Sequence, residues 1–363
     1  AVAENGIFEV AKNKYSKCYR FQDINYTTTN EEEQISIFER YCKFLNSLDC
    51  NYKITINNKN KNMELLREQV LLQYMDDGYD HFCKIYNDII EEKILEGRQG
   101  IEQERYLTIT IERKTFEEAK AQFATLEATI HKAFVELGAE IVPLNGNERL
   151  KVLYDYYHLG NEGQFQFDLK EYKKAGTDFK NDLCNGMLKF YPDHFEDEGK
   201  FCKALFIKKY PSSLSDRFLN EITSLPVHSI VSIDVVPVPK DLTTRTLQKK
   251  YLGIESDIIK QQRVRNKNND FSSEISYAKR TEKREIEAIM DDVRENDQCL
   301  FYVAVTIILM ADTKKELDSI SETVETIGKR NSCTIDTHYL KQREALNTAL
   351  PIGVRQVETM RTM

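Results

Sequence analysis

The sequence lacks the signatures of several large functional classes. It has no run of about 18 apolar residues; the longest, Cys299 to Ala311, is 13 residues and carries Thr306, too short for a bilayer-crossing helix and right for a buried strand. The opening AVAENGIFEV has neither a charged leader nor an apolar core, so no secretory signal is expected. The eight cysteines form no C-x-x-C pair and are expected as reduced thiols, neither a disulfide framework nor a zinc site. A P-loop needs Gly-x-x-x-x-Gly-Lys-[Ser/Thr], yet Gly199-Lys200 and Gly328-Lys329 have His194 and Thr323 where the earlier glycine belongs, so no backbone cradle for phosphate exists. G-x-G-x-x-G, H-E-x-x-H and G-x-S-x-G are absent as well, and the run from Asp76 to His81 lacks the ligand spacing of a calcium loop. No catalytic, cofactor-binding or metal-binding residue is assigned, and no enzyme activity is expected of these residues.

What is present is an ordinary globular balance. The 363 residues are 41% hydrophobic and 30% charged, with 51 Lys+Arg against 59 Asp+Glu for a formal charge of -8. That length predicts two or three domains with sizeable cores. The acidic balance disfavours a phosphate-coating nucleic-acid binder.

Periodicity exposes a repeat. In the first half, a strand at Cys18 to Ile24 precedes a helix with Ile35, Phe38, Cys42 and Leu45 on one side, and Tyr52 to Ile56 is a second strand. After a long helical stretch comes the alternating strand Tyr106 to Ile111, a helix with Phe116, Ala119, Phe123, Leu126, Ile130, Ala133 and Leu137, and a strand Glu140 to Leu144. Strand, helix, strand, strand, helix, strand is the split βαβ order of ferredoxin-like domains. The second half repeats it: Ala204 to Lys208, a helix with Leu214, Phe218, Ile222 and Leu225, Ile230 to Val236, Phe301 to Met310, a helix with Leu317, Ile320, Val324 and Ile327 on one side, and Cys333 to Leu340. Thr115-Phe-Glu-Glu118 and Thr313-Lys-Lys-Glu316 are capping boxes at the same strand-to-helix step of each half, 198 residues apart. An amphipathic helix follows each closing strand, Glu148 to Tyr157 and Gln342 to Leu350.

The expected fold is therefore α+β, two tandem ferredoxin-like units each with a long helical insert between its second and third strands. The expected boundaries are 1–159 with insert 62–97, a bridging loop 160–200, 201–353 with insert 239–291, and a connector 354–363. Thr108 and Thr110 suggest that one sheet face of the first unit tolerates water. The run VAVTIILM (303–310) is apolar on both faces, and burying it is worth roughly 1.5–3 kcal/mol per large side chain, so protein should cover its far face. The inserts carry opposite charge: three basic residues (Arg67, Lys84, Lys93) against nine acidic over 62–97, and 12 basic against seven acidic over 239–285. Either they dock, acid to base, between copies or on a partner, with nucleic acid or anionic lipid on the basic insert as a variant of that reading, or they are solvated helix surface.

Several stretches together resemble a known family. NGIFEV (5–10), YSKCYRFQDINY (15–26), FLNSLD (44–49), KKYPSSLSDRFLNEI (208–222), SIDVVPV (232–238), NDQCLFYVAVTIILMADTKKEL (296–317) and QREALNTALPIG (342–353) are similar to the N-terminal half of the TraC/TraE-like conjugative-transfer ATPase of type IV secretion systems, in the form carried by Gram-positive conjugative elements. The resemblance runs along nearly the whole chain. In that family a helix ending in Leu-Pro-x-Gly, here Leu350-Pro351-Ile352-Gly353, precedes a short connector, here near Arg361 to Met363, and then a RecA-like ATPase domain. The resemblance implies a fragment truncated before that domain, with ATP and Mg belonging to the absent part. It implies a protein peripheral at the inner face of the cell membrane, contacting secretion-channel proteins and neighbouring motor subunits. The competing readings are a nucleic-acid-binding tandem ferredoxin-like module, against which LTITI and VAVTIILM lack the aromatic RNP pattern, and a small-molecule enzyme on the same scaffold, for which no residues can be named.

Overall fold

Period-two runs become strands and period-3.6 runs become helices throughout both halves. The computed structural model describes every residue except 25, 27–28, 61–70, 73, 76–77, 97–100, 159–164, 166, 177–178, 185–187, 212, 216, 268–276, 296–297 and 359–363. The helix expected over 62–70, the Asp76-Asp77 pair and the connector from 359 lie outside the described residues. The first half gives β1 (Phe8–Ala11), β2 (Lys14–Phe21), α1 (Glu31–Asn46), β3 (Asn51–Asn60), α2 (Asp80–Glu96), β4 (Ile101–Glu112), α3 (Phe116–Leu137), β5 (Ile141–Pro143) and α4 (Gly146–Tyr157). Then come α5 (Leu169–Ala175), α6 (Lys180–Leu183), β6 (Lys189–Phe190) and β7 (Phe195–Asp197). The second half gives β8 (Lys200–Lys209), α7 (Arg217–Thr223), β9 (Ser229–Pro237), α8 (Lys240–Lys267), α9 (Tyr277–Glu295), β10 (Phe301–Ala311), α10 (Lys314–Arg330), β11 (Thr334–Thr337) and α11 (Gln342–Ala349).

The architecture is α+β on a large antiparallel sheet. The described strands form one eleven-stranded sheet in which β5-β2-β4-β3 and β11-β8-β10-β9 are two runs of the same order. The runs join through their second strands: β3 pairs antiparallel with β9, setting Lys53 opposite Asp234, Ile54 opposite Ile233 and Thr55 opposite Ser232. The halves expected as successive domains therefore share a sheet. Compactness divides the chain elsewhere, with Ala1–Tyr41, Cys50–Val235 and the chain from Val303 in one unit, and Cys42–Asp49 with Val236–Tyr302 in another.

The repeat begins earlier than its first long strand. The outer edge of β2 is shared between β1, which sets Phe8 opposite Ser16, and β5, which sets Ile141 opposite Phe21. The outer edge of β8 is shared in the same way, with Phe195 of β7 opposite Cys202 and Thr337 of β11 opposite Leu205. The stretch 160–200, expected as loop, thus contains α5, α6 and a leading β-hairpin; strands of two or three residues are too short to show a period. Of its four scattered phenylalanines, all expected to tack it onto a core, Phe165, Phe167 and Phe179 do so, while Phe190 is 38% exposed.

The threonine half of each expected capping box forms, Thr115 accepting from the Glu118 N–H at 3.3 Å and Thr313 from the Glu316 N–H at 3.2 Å, whereas a box with both bonds present starts α4 at Asn145 and Glu148. Helix α3 buries Ala119, Phe123, Ile130, Phe134 and Leu137, and it meets β2 through Phe116 on Tyr15 and Phe134 on Phe21. Helix α1 presents a different face from the one expected: Ile37 is buried, while Ile35 and Phe38 are more than half exposed.

The opposite sheet face is dry in both halves. Beneath β8 and β10, Cys202, Ala204, Ile308 and Met310 pack against Leu150, Leu153 and Tyr156 of α4, Ala345, Leu346 and Ala349 of α11, and Leu169 and Leu183 of α5 and α6. That cover accounts for a strand apolar on both faces. Of the two threonines expected on a water-tolerant face, Thr108 is 0% exposed because chain following α11 lies across it, and Thr110 is half-buried.

In the second unit α8 and α9 form an antiparallel helical arm. Thr243, Leu247 and Ile254 of α8 are buried together with Ile286 of α9. Lys283 reaches Glu255 at 3.0 Å and stands over the Tyr251 ring at 5.0 Å, while Lys279 reaches Asp257 at 3.4 Å.

Candidate functional site

The densest polar construction in the first unit holds the chain after α11 against the sheet. Pro351 cannot continue a helix and forces Leu350 out of the α region; Leu350 is extended at φ -64°, ψ 148°. The backbone then runs over β2 and β4, where alternation turns Ser16, Thr108 and Thr110 toward it. Ser16 Oγ donates to the Ile352 carbonyl at 2.6 Å and Thr110 Oγ1 to the Gly353 carbonyl at 3.1 Å. Gly353 has φ +90°, and a Cβ there would lie 2.6 Å from Thr110 Oγ1 and 2.7 Å from the Ser16 Cβ. Only glycine lets the backbone approach this closely.

Two buried cations clamp this segment. Arg149, on α4, donates to the carbonyls of Gly6 (2.8 Å), Ser16 (2.9 Å), Pro351 (3.1 Å) and Ile352 (3.4 Å) and to Ser16 Oγ (3.2 Å). Its guanidinium lies 3.7 Å from the centre of the Phe8 ring. All these acceptors are neutral, so the charge is held by a fork of hydrogen bonds and a ring face, and burial pulls its pKa down to about 10. Lys53, on β3, donates to the carbonyls of Thr348, Leu350 and Val354, the last at 3.0 Å, which satisfies carbonyls left free at the end of α11. Its counter-charge is Asp234 on the neighbouring β9, 3.7 Å away. Burial lowers the Lys53 pKa and Asp234 opposes that shift.

Beyond Gly353 the segment folds back on α11. Thr348 Oγ1 accepts from the N–H groups of Gln356 and Val357 at 2.9 and 3.3 Å, and Val357 joins the core at 3% exposure. A second polar group neighbours this region: Lys59 meets Glu104 at 2.7 Å and Asp155 at 3.1 Å, and Tyr106 donates to Glu104 at 2.7 Å. Burial alone would lower the Lys59 pKa, but the two carboxylates outweigh it and raise it, so the ammonium stays charged.

This arrangement is chemically an anchor. Among the described residues no group of three or more His, Cys, Asp or Glu is placed to hold a metal, and the eight cysteines are free thiols. His158 stacks on Tyr154, His194 on Tyr191 and His338 on Phe206, each in a separate packing role. Among the described residues no helix is long and apolar enough to cross a membrane. The Leu350-Pro-Ile-Gly step stands out in the sequence, whereas Lys53, Arg149 and Ser16 do not: Lys53 occupies a polar slot of an alternating strand, and Arg149 follows Glu148 as on any amphipathic helix.

The inserts differ in what they present. Helix α2 leaves Phe82, Ile85 and Ile89 exposed. Helix α8 carries most of the basic excess on its outer side.

No protein-family model matches the chain, and no curated protein matches it in sequence.

Proposed function

We propose that this chain is the non-catalytic docking and assembly portion of a TraC/TraE-like conjugative-transfer ATPase of type IV secretion, with its motor domain following residue 363. Each half reads as a ferredoxin-like unit, since the order β5-β2-β4-β3, and its counterpart β11-β8-β10-β9, places the fourth strand beside the first and the third beside the second. ATP and Mg would act in the RecA-like domain beyond, energising conjugative DNA transfer. The partners are secretion-channel proteins and neighbouring copies, with the chain peripheral at the inner face of the membrane.

The observation that carries this reading is the clamp on Leu350-Pro-Ile-Gly353. A loosely tethered domain moves independently of its support. A connector pinned through Arg149, Lys53 and Gly353 to a rigid sheet instead gives the following domain a fixed exit. The nucleic-acid alternative finds less support, because the sheet face on which an RNA-recognition motif stacks bases is covered here by α4, α11 and the connector.

The test is the gene downstream of codon 363. The reading expects an open frame reaching G-x-x-x-x-G-K-[Ser/Thr] within about a hundred codons; a stop codon in place of that frame would remove its foundation. ATP turnover by the 363-residue chain would contradict the non-catalytic assignment.

A further inference from the structure

Helix α8 has two unlike sides. At 100° per residue, Thr243, Leu247 and Ile254 cluster on one side and are buried. The opposite arc, about 140° wide, contains Leu242, Arg245, Lys249, Leu252, Ile259, Lys260, Arg263, Val264 and Lys267, all exposed. Leu252 is 63% exposed and Ile259 49%. Five cations are thus interleaved with four aliphatic side chains along about 38 Å of helix. The arc's one acidic residue is Asp241, in the first turn; Lys260 meets Asp257, just outside the arc, at 3.9 Å.

We propose that this face of α8 lies on an anionic lipid bilayer. The aliphatic residues are spaced apart by cations, so they build no contiguous hot spot of the kind protein partners use. They would enter the acyl boundary while Lys and Arg stems extend to phosphate headgroups. A nucleic acid would satisfy the cations but leave Leu252 and Ile259 without a role, and the one aromatic residue of α8, Tyr251, is already covered by Lys283. The inference rests on the membrane-peripheral reading above and names the surface that makes the contact.

Vesicle co-sedimentation of the whole chain tests it, comparing phosphatidylcholine alone with phosphatidylcholine holding about 30% phosphatidylglycerol. Binding to the anionic vesicles alone is expected, weakening as salt rises. Replacing three cations (Arg245→Gln, Lys249→Gln, Arg263→Gln) should lower partitioning about a hundredfold, from roughly fivefold per charge. Leu252→Ser with Ile259→Ser should lower it about tenfold. Both sets alter solvent-exposed side chains, and an unchanged far-ultraviolet circular dichroism spectrum confirms folding. Equal binding to both vesicle types, no binding to either, or binding unaffected by the substitutions would overturn the proposal. So would preferential capture of a duplex oligonucleotide that ignores the serine pair. Sedimentation with membranes bearing the secretion channel but not with lipid alone would overturn this inference and leave the docking reading intact.

Discussion

Arg149→Met is the sharpest probe of the clamp. The substitution keeps the stem that packs beside Phe8 and removes donors from five acceptors, the carbonyls of Gly6, Ser16, Pro351 and Ile352 and the Ser16 hydroxyl. A buried acceptor left without a donor costs about 1 kcal/mol or more, and relief of the buried, unpaired cation returns part of that sum. Because the Ile352 carbonyl keeps its bond from Ser16 Oγ and the Pro351 carbonyl one from Thr108 Oγ1, the net loss is about 2 to 3 kcal/mol. In urea, with a slope near 3 kcal/mol per molar, the unfolding midpoint should fall by about 0.7 to 1 M. Arg149→Lys should recover only part, because one ammonium cannot serve acceptors arranged around a planar fork. A fall of less than about 0.3 M for Arg149→Met would refute the claim that the guanidinium holds the connector down.

Gly353→Ala should destabilise by about 1–3 kcal/mol, from positive φ and the Cβ clash with Thr110 and Ser16, read from the same urea curves. Lys53→Met should cost about 3–5 kcal/mol by removing the ammonium that serves the carbonyls ending α11 and lies 3.7 Å from Asp234, and the double variant Lys53→Met/Asp234→Leu should regain part of the loss. Asp197 is buried on β7 and its pKa is pushed up to about 7, by desolvation first and then by Glu198. A carboxyl with a raised folded-state pKa favours the folded state when protonated. That stabilisation is therefore complete below about pH 4 and lost as pH rises to about 7, by some 2–4 kcal/mol after allowance for solvent. Asp197→Asn should remove this dependence, and calorimetry of both proteins at pH 5 and pH 8, values bracketing about 7, would show it.

Much of the secondary structure was legible in the sequence. Alternation marked β4, a run apolar on both faces marked β10, helical spacing marked α3 and α10, and the two capping threonines fixed where these helices start. The joint between halves was not legible, because β3 and β9 read as ordinary alternating strands whose polar residues Lys53, Thr55, Ser232 and Asp234 look solvent-facing. Lys53 finds its carbonyl acceptors about 300 residues along the chain, and no local pattern encodes that pairing. The same reason hid the cover over Thr108. The short strands β6 and β7 fell below the length at which a period shows, and α1 was assigned to the wrong face because apolar residues lie on both of its sides. The Leu-Pro-x-Gly step was visible, but its two clamps were not.

Native-state hydrogen exchange resolved by residue tests most directly whether the doubled fold shares one sheet with the connector built into it. Amides of β3 and β9 at Ile54, Ile56, Val231 and Ile233 should exchange as slowly as those of β4 and β10, and Gln356 and Val357 should fall in the same protected class. Rapid exchange along β3 and β9, or an unprotected connector beside a protected sheet, would contradict the account.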